Sequence, residues 1–357
     1  MESPWISIII PCYNVQDYID RCVKSLVTQT IGIEHLELLF VDDASTDGTV
    51  EKLKEWEKKY PDNILIVCCE QNGRQGTARN IGLQYASAPY IGFVDADDWV
   101  ETDMYEKLYC PICHYQADLS VCYYKRDSGT KELKMGSIGK ENEYFEIKTL
   151  KDRKVLWHMG MGSGVYCKLY RRSLLLDNRI YFPEGMMYED NYFGAILRQY
   201  VRSIVYVKEY LYHYFVNKQS TTVTKNARQH YIDRLQIEEM VLQEYIAKGW
   251  IKDFYAEEQI HFIKMYYINT LHILFSRFDA ASIPSGLVQG MRKRVLELFP
   301  DYAQNPLWGF GGGLKEHEQI LYDSLADELT EEKVGELRKK YLDYIRGNRT
   351  FANSVDY

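Results

Sequence analysis

Apolar strand-like runs alternate with helical periodicity over the first hundred residues. Ile6-Ser7-Ile8-Ile9-Ile10 is a β-branched run stopped by Pro11. Tyr18 to Thr30 then carries apolar positions at Ile19, Cys22, Val23, Leu26 and Val27, the spacing of one helix face. Leu36 to Val41 reads as a second strand, and Asp47-Gly48-Thr49 as the start of a second helix with Asp47 at its N-cap. Ile64 to Cys69, Gly76 to Ala86 and Tyr90 to Val94 repeat the cycle as strand, helix and strand. Strands this uniformly apolar are buried on both faces, so the pattern predicts an α/β fold with a parallel sheet covered by helices on both sides.

After Trp99 the pattern loosens. Thr102 to Tyr115 has helical spacing, Leu119 to Tyr124 reads as a strand, and Asp127 to Lys140 is a polar, Gly-containing hairpin or loop. Val165 to Tyr170 and Ile204 to Tyr214 are further strands. From about Asn226 the character changes to long helical periodicity: Tyr231 to Ala247, Phe254 to Phe278, Leu287 to Leu298 and Leu329 to Ile345. Gly309 to Gly313 reads as a hinge or loop between helices. The expected organisation is an α/β domain over residues 1–225 and a helical region over 226–357.

Composition narrows the classes. With 46% hydrophobic and 26% charged residues the chain is an ordinary globular protein. A net charge of −8 supplies no basic field for a nucleic-acid polymer. No run of about 18 apolar residues exists to span a membrane; the densest stretch, His261 to Phe278, is broken by Lys264, Asn269, His272 and Arg277. Met1 leads straight toward a strand with no signal-peptide pattern, so a cytoplasmic location is expected. Eight scattered cysteines then read as reduced thiols. Cys110-Pro111-Ile112-Cys113-His114 matches the haem-attachment spacing by coincidence, with no other haem signal beside it.

The chemistry concentrates at strand ends. Asp42-Asp43 follows the second strand and Asp95-Ala96-Asp97-Asp98 the fourth. Carboxylates there face the crevice where open α/β folds bind ligands. Packed this densely they repel one another, so a divalent cation or a cationic group is expected among them. Asp43 suits acceptance of a base imide N–H, and Tyr13, just past the first strand, offers a ring to the same base. Asn72-Gly73-Arg74-Gln75-Gly76-Thr77-Ala78-Arg79-Asn80 is Gly-rich and cationic and opens a helix, which suits an anion or ribose-linked group. Glu189-Asp190 opens another helix, where a carboxylate gains from the dipole and is placed as a general base; a plain N-cap looks identical in sequence.

Absences exclude other classes. No G-x-G-x-x-G follows the first strand, and no G-x-x-x-x-G-K-[ST] loop is present. Ser45-Thr46-Asp47-Gly48-Thr49 has the outline of an aspartyl-phosphatase loop, but Ser45 stands where the nucleophile is needed.

Ile10-Pro11-Cys12-Tyr13-Asn14, Val41 to Thr49, Asn72 with Ala78-Arg79-Asn80-Ile81-Gly82, Val94 to Asp98 and Tyr188-Glu189-Asp190 occur in the order and spacing of family-two glycosyltransferases. The resemblance covers roughly residues 5 to 215. Val165 to Arg172 is similar to an acceptor-side segment of bacterial polysaccharide members, and Tyr212-His213-Tyr214 through Ser220-Thr221 to the strand and loop that close such domains. It implies a GT-A fold, Rossmann-like and mostly parallel, followed by the helical C-terminal region. It also implies an inverting hexosyl- or N-acetylhexosaminyl-transferase using a nucleotide-diphosphate sugar, expected to be UDP-linked.

Carried over by residue, the resemblance implies that Pro11, Tyr13, Asn14, Asp43, Asn72 and Arg79 cradle the nucleoside. Asp95 contacts the ribose, Asp97 holds Mg2+ or Mn2+ with Asp98 sharing or taking that role, and Asp190 is the base. Lys168 and Glu189 stand on the acceptor side. The acceptor is a glycan or lipid-linked glycan of a cell-surface polysaccharide, made at the inner face of the membrane. Acceptor choice is assigned to residues 127–151 and 161–168. The C-terminal helices are open to three readings: acceptor platform, homodimer interface or peripheral membrane contact. A sugar-nucleotide pyrophosphorylase and a catalytically silent binding scaffold are the alternatives. The first lacks its Gly-rich loop at Cys12-Tyr13-Asn14, and the second has no use for a base.

Overall fold

The computed structural model describes residues 3–129, 132–135, 143–162, 164–216, 228–284 and 286–348. Cα packing divides the chain into two compact units, Met1–Asn217 and Lys218–Tyr357.

The first unit runs β1 (Ile6–Cys12), α1 (Ile19–Val27), β2 (Leu36–Asp42), α2 (Thr49–Lys59), β3 (Ile64–Cys68), α3 (Arg74–Tyr85), β4 (Tyr90–Phe93), β5 (Trp99–Val100) and α4 (Met104–His114). It continues through β6 (Leu119–Asp127), β7 (Glu132–Met135), β8 (Glu143–Glu146), α5 (Leu150–Met159), β9 (Lys168–Arg171), α6 (Arg172–Asp177), α7 (Glu189–Tyr200) and β10 (Ser203–Phe215). One sheet joins them in the order β3-β2-β1-β4-β9-β6-β10-β5. β3, β2, β1 and β4 are parallel, β9 runs antiparallel to both its neighbours, and β6 and β10 are parallel to each other. β7 pairs antiparallel with β6, which makes the expected hairpin, and β8 pairs antiparallel with β10.

All seven residues of β1 are buried, as a central strand covered on both faces requires. Pro11 is tolerated there because residues 9 and 11 face the same neighbour, and β4 pairs with β1 only as far as Ile9. The ring therefore lies past the end of that ladder, where no N–H is needed. Gly82 lets α3 lie directly on β1: a Cβ at this position would stand 2.3 Å from Ile9 Cγ2.

Several boundaries differ from expectation. The strand predicted from Val165 begins at Lys168, because the chain before it turns through left-handed Gly162, Gly164 and Cys167. Gly48, not Asp47, holds the N-cap of α2, although Asp47 Oδ1 still accepts the Thr49 N–H at 3.0 Å. α5 went unread, since of its ten residues only Leu156 is buried. Its signal was a capping box: the Thr149 hydroxyl accepts from Asp152 N–H while Asp152 Oδ2 accepts from Thr149 N–H. The expected loop at Ser220-Thr221 lies outside the described residues.

The second unit is helical: α8 (Gln229–Ala247), α9 (Ile251–Phe262), a π-helical stretch (Ile263–Ile268), α10 (Asn269–Arg277), α11 (Leu287–Leu298), α12 (Glu316–Asp323) and α13 (Glu331–Gly347). The segment expected as a Gly-rich hinge is a 3-10 run, Pro306–Gly312. Among the described residues no helix is long and apolar enough to cross a membrane. All eight cysteines are free thiols.

Candidate active site

The ends of β1 and β2 bring Asp43, Tyr13 and Asn14 side by side. Asp43, only 3% exposed, donates its N–H to Cys12 O at 2.8 Å, and its Oδ1 accepts the Gly73 N–H at 2.7 Å. Asn72 Nδ2 donates to the Asp43 main-chain oxygen at 3.2 Å. The Asp43 carboxylate is thus aimed by the backbone at the start of α3 rather than by a flexible partner. Tyr13, 46% exposed, stands on the loop leaving β1. Asn14 ties that loop to the one after β2: its N–H donates to Ser45 Oγ at 2.9 Å and its Oδ1 accepts the Thr46 N–H at 2.8 Å.

α3 clamps the chain that leads into α7. Asn80 Nδ2 donates to Phe182 O at 2.9 Å, and its Oδ1 accepts the Phe182 N–H at 2.9 Å. Gly76 permits the close approach, since a Cβ there would lie 2.4 Å from Pro183 O and 3.2 Å from Glu189 Cγ. Arg79, 2% exposed, spans the junction: Nη2 donates to Asp95 Oδ1 at 2.7 Å and Nη1 to Glu189 Oε1 at 2.5 Å. Burial alone would lower the guanidinium pKa, but Asp95 and Glu189 overcome it and hold Arg79 above its ordinary value. Burial pushes Glu189 up to about 7, against the pull of Arg79 and with the Asp190 charge adding to the rise. Arg79, expected to cradle the nucleoside, is paired with the carboxylates of Asp95 and Glu189, and Glu189, expected on the acceptor side, is turned toward Arg79.

The acidic tetrad divides by direction. Asp95 and Asp97 are half-buried at the turn after β4, and Arg21 Nη2 donates to the Asp97 main-chain oxygen at 2.9 Å. Asp98 is 1% exposed and points the other way. Its Oδ2 accepts from Tyr212 O–H at 2.5 Å and its Oδ1 from the Phe215 N–H at 2.7 Å. Burial and the neighbouring Asp97 and Asp95 charges push the Asp98 carboxyl well above the usual range. Each Asp98 oxygen accepts one hydrogen bond from β10, so Asp98 fastens the turn to that strand. The same Tyr212 oxygen accepts the Asp95 N–H at 3.2 Å. The carboxylates of Asp97 and Asp95 are hard donors of the kind Mg2+ and Mn2+ take.

Asp190 is the second residue of α7 and half-buried, one position beyond the Arg79–Glu189 pair. Lys168, 3% exposed, turns inward and donates to the carbonyls of Gly162 (3.3 Å) and Gly164. Burial lowers its pKa to about 8, partly offset by the Asp190 charge. Tyr166 stacks on Tyr212 with ring centroids 4.6 Å apart, a contact no sequence signal announced.

Left-handed backbone gathers around these residues. Asn14, Ala44, Arg74, Cys167 and Tyr188 have φ between 51° and 67° and adjoin Tyr13, Asp43, Gly73, Lys168 and Glu189. Each costs on the order of 1–3 kcal/mol, and such residues cluster at sites where a side chain must be aimed.

The model of the family described as "Glycosyl transferase family 2" matches residues 7–178. The putative glycosyltransferase EpsH of Bacillus subtilis (strain 168) is 31% identical over 229 residues, covering 62% of this chain and 63% of EpsH. The uncharacterized glycosyltransferase YibD of Escherichia coli (strain K12) is 30% identical over 261 residues, covering 68% of this chain and 72% of YibD. The chain spans less than two thirds of several relatives it matches, among them 31% of the Streptococcus pneumoniae glycosyltransferase GlyA. The crystal structure of S. aureus TarS 1–349 in complex with UDP-GlcNAc superposes with a TM-score of 0.59 at 20% identity, covering 96% of this chain and 92% of that one. The mannosyltransferase PcManGT of Pyrobaculum calidifontis, solved with GDP-Man and Mn2+, gives 0.50 at 15% identity over 87% and 89%. At these identities the likeness is one of fold.

Proposed function

The chain belongs to glycosyltransferase family 2, and on that premise we propose an inverting transferase that moves a sugar from a UDP-linked donor to a hydroxyl of a glycan or lipid-linked glycan in bacterial cell-surface polysaccharide synthesis. The observation that carries this reading is Arg79, whose ion pairs to Asp95 and Glu189 hold the start of α7 against the turn of the acidic tetrad. Donor-side carboxylates and a candidate base thereby share one crevice. Relatives and neighbours that act on or bind such compounds support it. They include the poly(ribitol-phosphate) beta-glucosyltransferase of Bacillus spizizenii and TarS with UDP-GlcNAc.

In this reading Asp43 accepts from the base, Tyr13 lies against its ring, and Pro11, Asn14 and Asn72 shape the pocket. Asp95 meets the ribose. Asp97, with the second Asp95 oxygen, would hold the divalent cation, which when bound offsets the charge that grows on the leaving diphosphate. A sugar hydroxyl is a poor nucleophile at neutral pH. Asp190 takes its proton as the oxygen attacks the anomeric carbon, and the bond to the phosphate oxygen breaks with its electron pair leaving on the diphosphate. One displacement inverts the configuration.

The test is calorimetry of UDP binding with and without Mn2+. Asp97→Ala should bind UDP with the same affinity in both conditions, while the wild-type chain binds more tightly with Mn2+. Wild-type affinity that ignores Mn2+ sinks the metal assignment. A panel of UDP-sugars, read by thermal shift, then selects the donor.

A further inference from the structure

The hairpin of β6 and β7 meets β10 beside the tetrad and brings together three groups outside the proposed donor site. Asp127 ends β6 and faces Glu132 across the ladder, while Lys125 and Asp127 pair in register with His213 and Phe215. One ligand atom from each of Asp127, Glu132 and His213 lies within 4.8 Å of the others.

His213 supplies the second observation. It is 7% exposed, stacked on Trp99 at 4.7 Å, and its Nε2 lies 2.9 Å from Glu101 Oε1. A carboxylate only accepts, so Nε2 carries the proton and donates, and Nδ1 is left as the other ring nitrogen. Nδ1 is buried without a hydrogen-bond partner. It points to Glu132 Oε2 at 3.9 Å, too far for a hydrogen bond. Asp127 Oδ1 accepts the Gly129 N–H at 2.6 Å, which orients that carboxylate. An imidazole lone pair and two carboxylates thus face one another with no donor between them. Two cations border the cluster: Lys125 sits 2.8 Å from Glu101 and 4.0 Å from Glu132, and Arg21, stacked on Trp99 at 3.7 Å, feels the charge of Asp127.

We propose that His213, Glu132 and Asp127 form a binding site for a divalent transition metal, separate from Asp97, that pins the β6–β7 hairpin to β10. Glu101 on the far nitrogen is the outer carboxylate that metal-binding histidines usually have. One nitrogen with carboxylate oxygens suits Zn2+, Co2+ or Mn2+. Ligand atoms around a tetrahedral ion with bonds of about 2.1 Å stand about 3.4 Å apart. Closing from the observed spacing needs a small movement of Glu132, whose side chain is 44% exposed.

The experiment titrates Zn2+ into the chelator-stripped full chain, without nucleotide, by calorimetry, with Co2+ visible absorption as a second readout. The wild-type chain and Asp97→Asn should each keep one tight site. Glu132→Gln and His213→Gln should weaken that site at least tenfold and lose the Co2+ bands. Glu132→Gln, at an exposed position, should melt like the wild type in EDTA, so its loss reports binding and not folding. Zinc isotherms of Glu132→Gln and wild type that superimpose overturn the proposal. So does loss of all zinc binding in Asp97→Asn, which would place every bound ion at the tetrad.

Discussion

Both units bury carboxylates, but they surround them differently. In the α/β unit three buried acids at or just past strand ends take backbone donors, Asp43 from Gly73, Asp42 from Ser45 and Asp98 from Phe215, whereas Glu189 at the start of α7 is held by Arg79. In the helical unit Glu238 is fully buried inside α8 beside Arg234 at 3.7 Å and His261 Nε2 at 3.0 Å, with neither carboxylate oxygen in a hydrogen bond. The cause is the ladder. A helix interior spends every N–H within itself, whereas a strand that outruns its neighbour presents N–H groups to whatever stands at the edge. Carboxylates aimed by backbone N–H groups are fixed in direction. Those held by ionisable side chains respond to pH.

The largest expected effect is at Asp190. Asp190→Asn should lower transfer about 10²–10⁴-fold with donor affinity retained, measured by nucleotide release with and without acceptor. Near-normal turnover would end the proposed base role and leave strand-end acids with no catalytic claim on α7. Next comes Asp98→Asn, which disturbs two buried hydrogen bonds and should cost on the order of 3 kcal/mol in urea unfolding. Asp97→Ala should leave stability nearly unchanged. If the two swap effects, the inward and outward assignments in the tetrad are reversed.

The helical unit should be the acid-sensitive one. Burial, with the Arg277 charge adding to it, lowers the pKa of His272, bonded to Tyr341, to about 4. Between the unfolded value of 6.5 and 4 the unfolded chain binds the extra proton. Stability from this group is therefore present above 6.5 and is lost as pH falls toward 4, by about 3 kcal/mol at most. Hydrogen exchange resolved by unit should show it, and His272→Asn should flatten the slope. Equal acid slopes in both variants would remove His272 as the cause. The smallest effects are at the caps: Thr149→Ala on α5 and Thr330→Ala on α13 should each cost about 1 kcal/mol in thermal unfolding, because each hydroxyl accepts the N3 amide.

The first four strands and helices were legible because apolar runs and helical spacing report burial directly. β8 was not: Glu143–Glu146 is an edge strand, mostly exposed, with no apolar run to mark it. The strand-end rule pointed to Asp42, Asp43, Asp95, Asp97 and Asp98 alike. The direction of Asp98 could not be read, because consecutive residues in a tight turn face opposite ways and the partner, Tyr212, lies more than a hundred residues downstream. The same holds for Arg79. Its helix face is plain from the spacing, but only the fold brings Phe182 to Glu189 beneath it.

β10 reaches the tetrad after irregular pairing. Its Tyr206 and Tyr212 face Val121 and Tyr124 on β6, so six steps on one strand match three on the other. Evolution can therefore lengthen or shorten the first half of β10 with the slack taken up before Tyr212. Past Tyr212 the pairing is one to one through Phe215. A single inserted or deleted residue there would shift the residues beyond it to the opposite face relative to Tyr212, separating the two β10 groups that hold Asp98. Indels tolerated before Tyr212 and lethal after it would be the genetic trace of that arrangement.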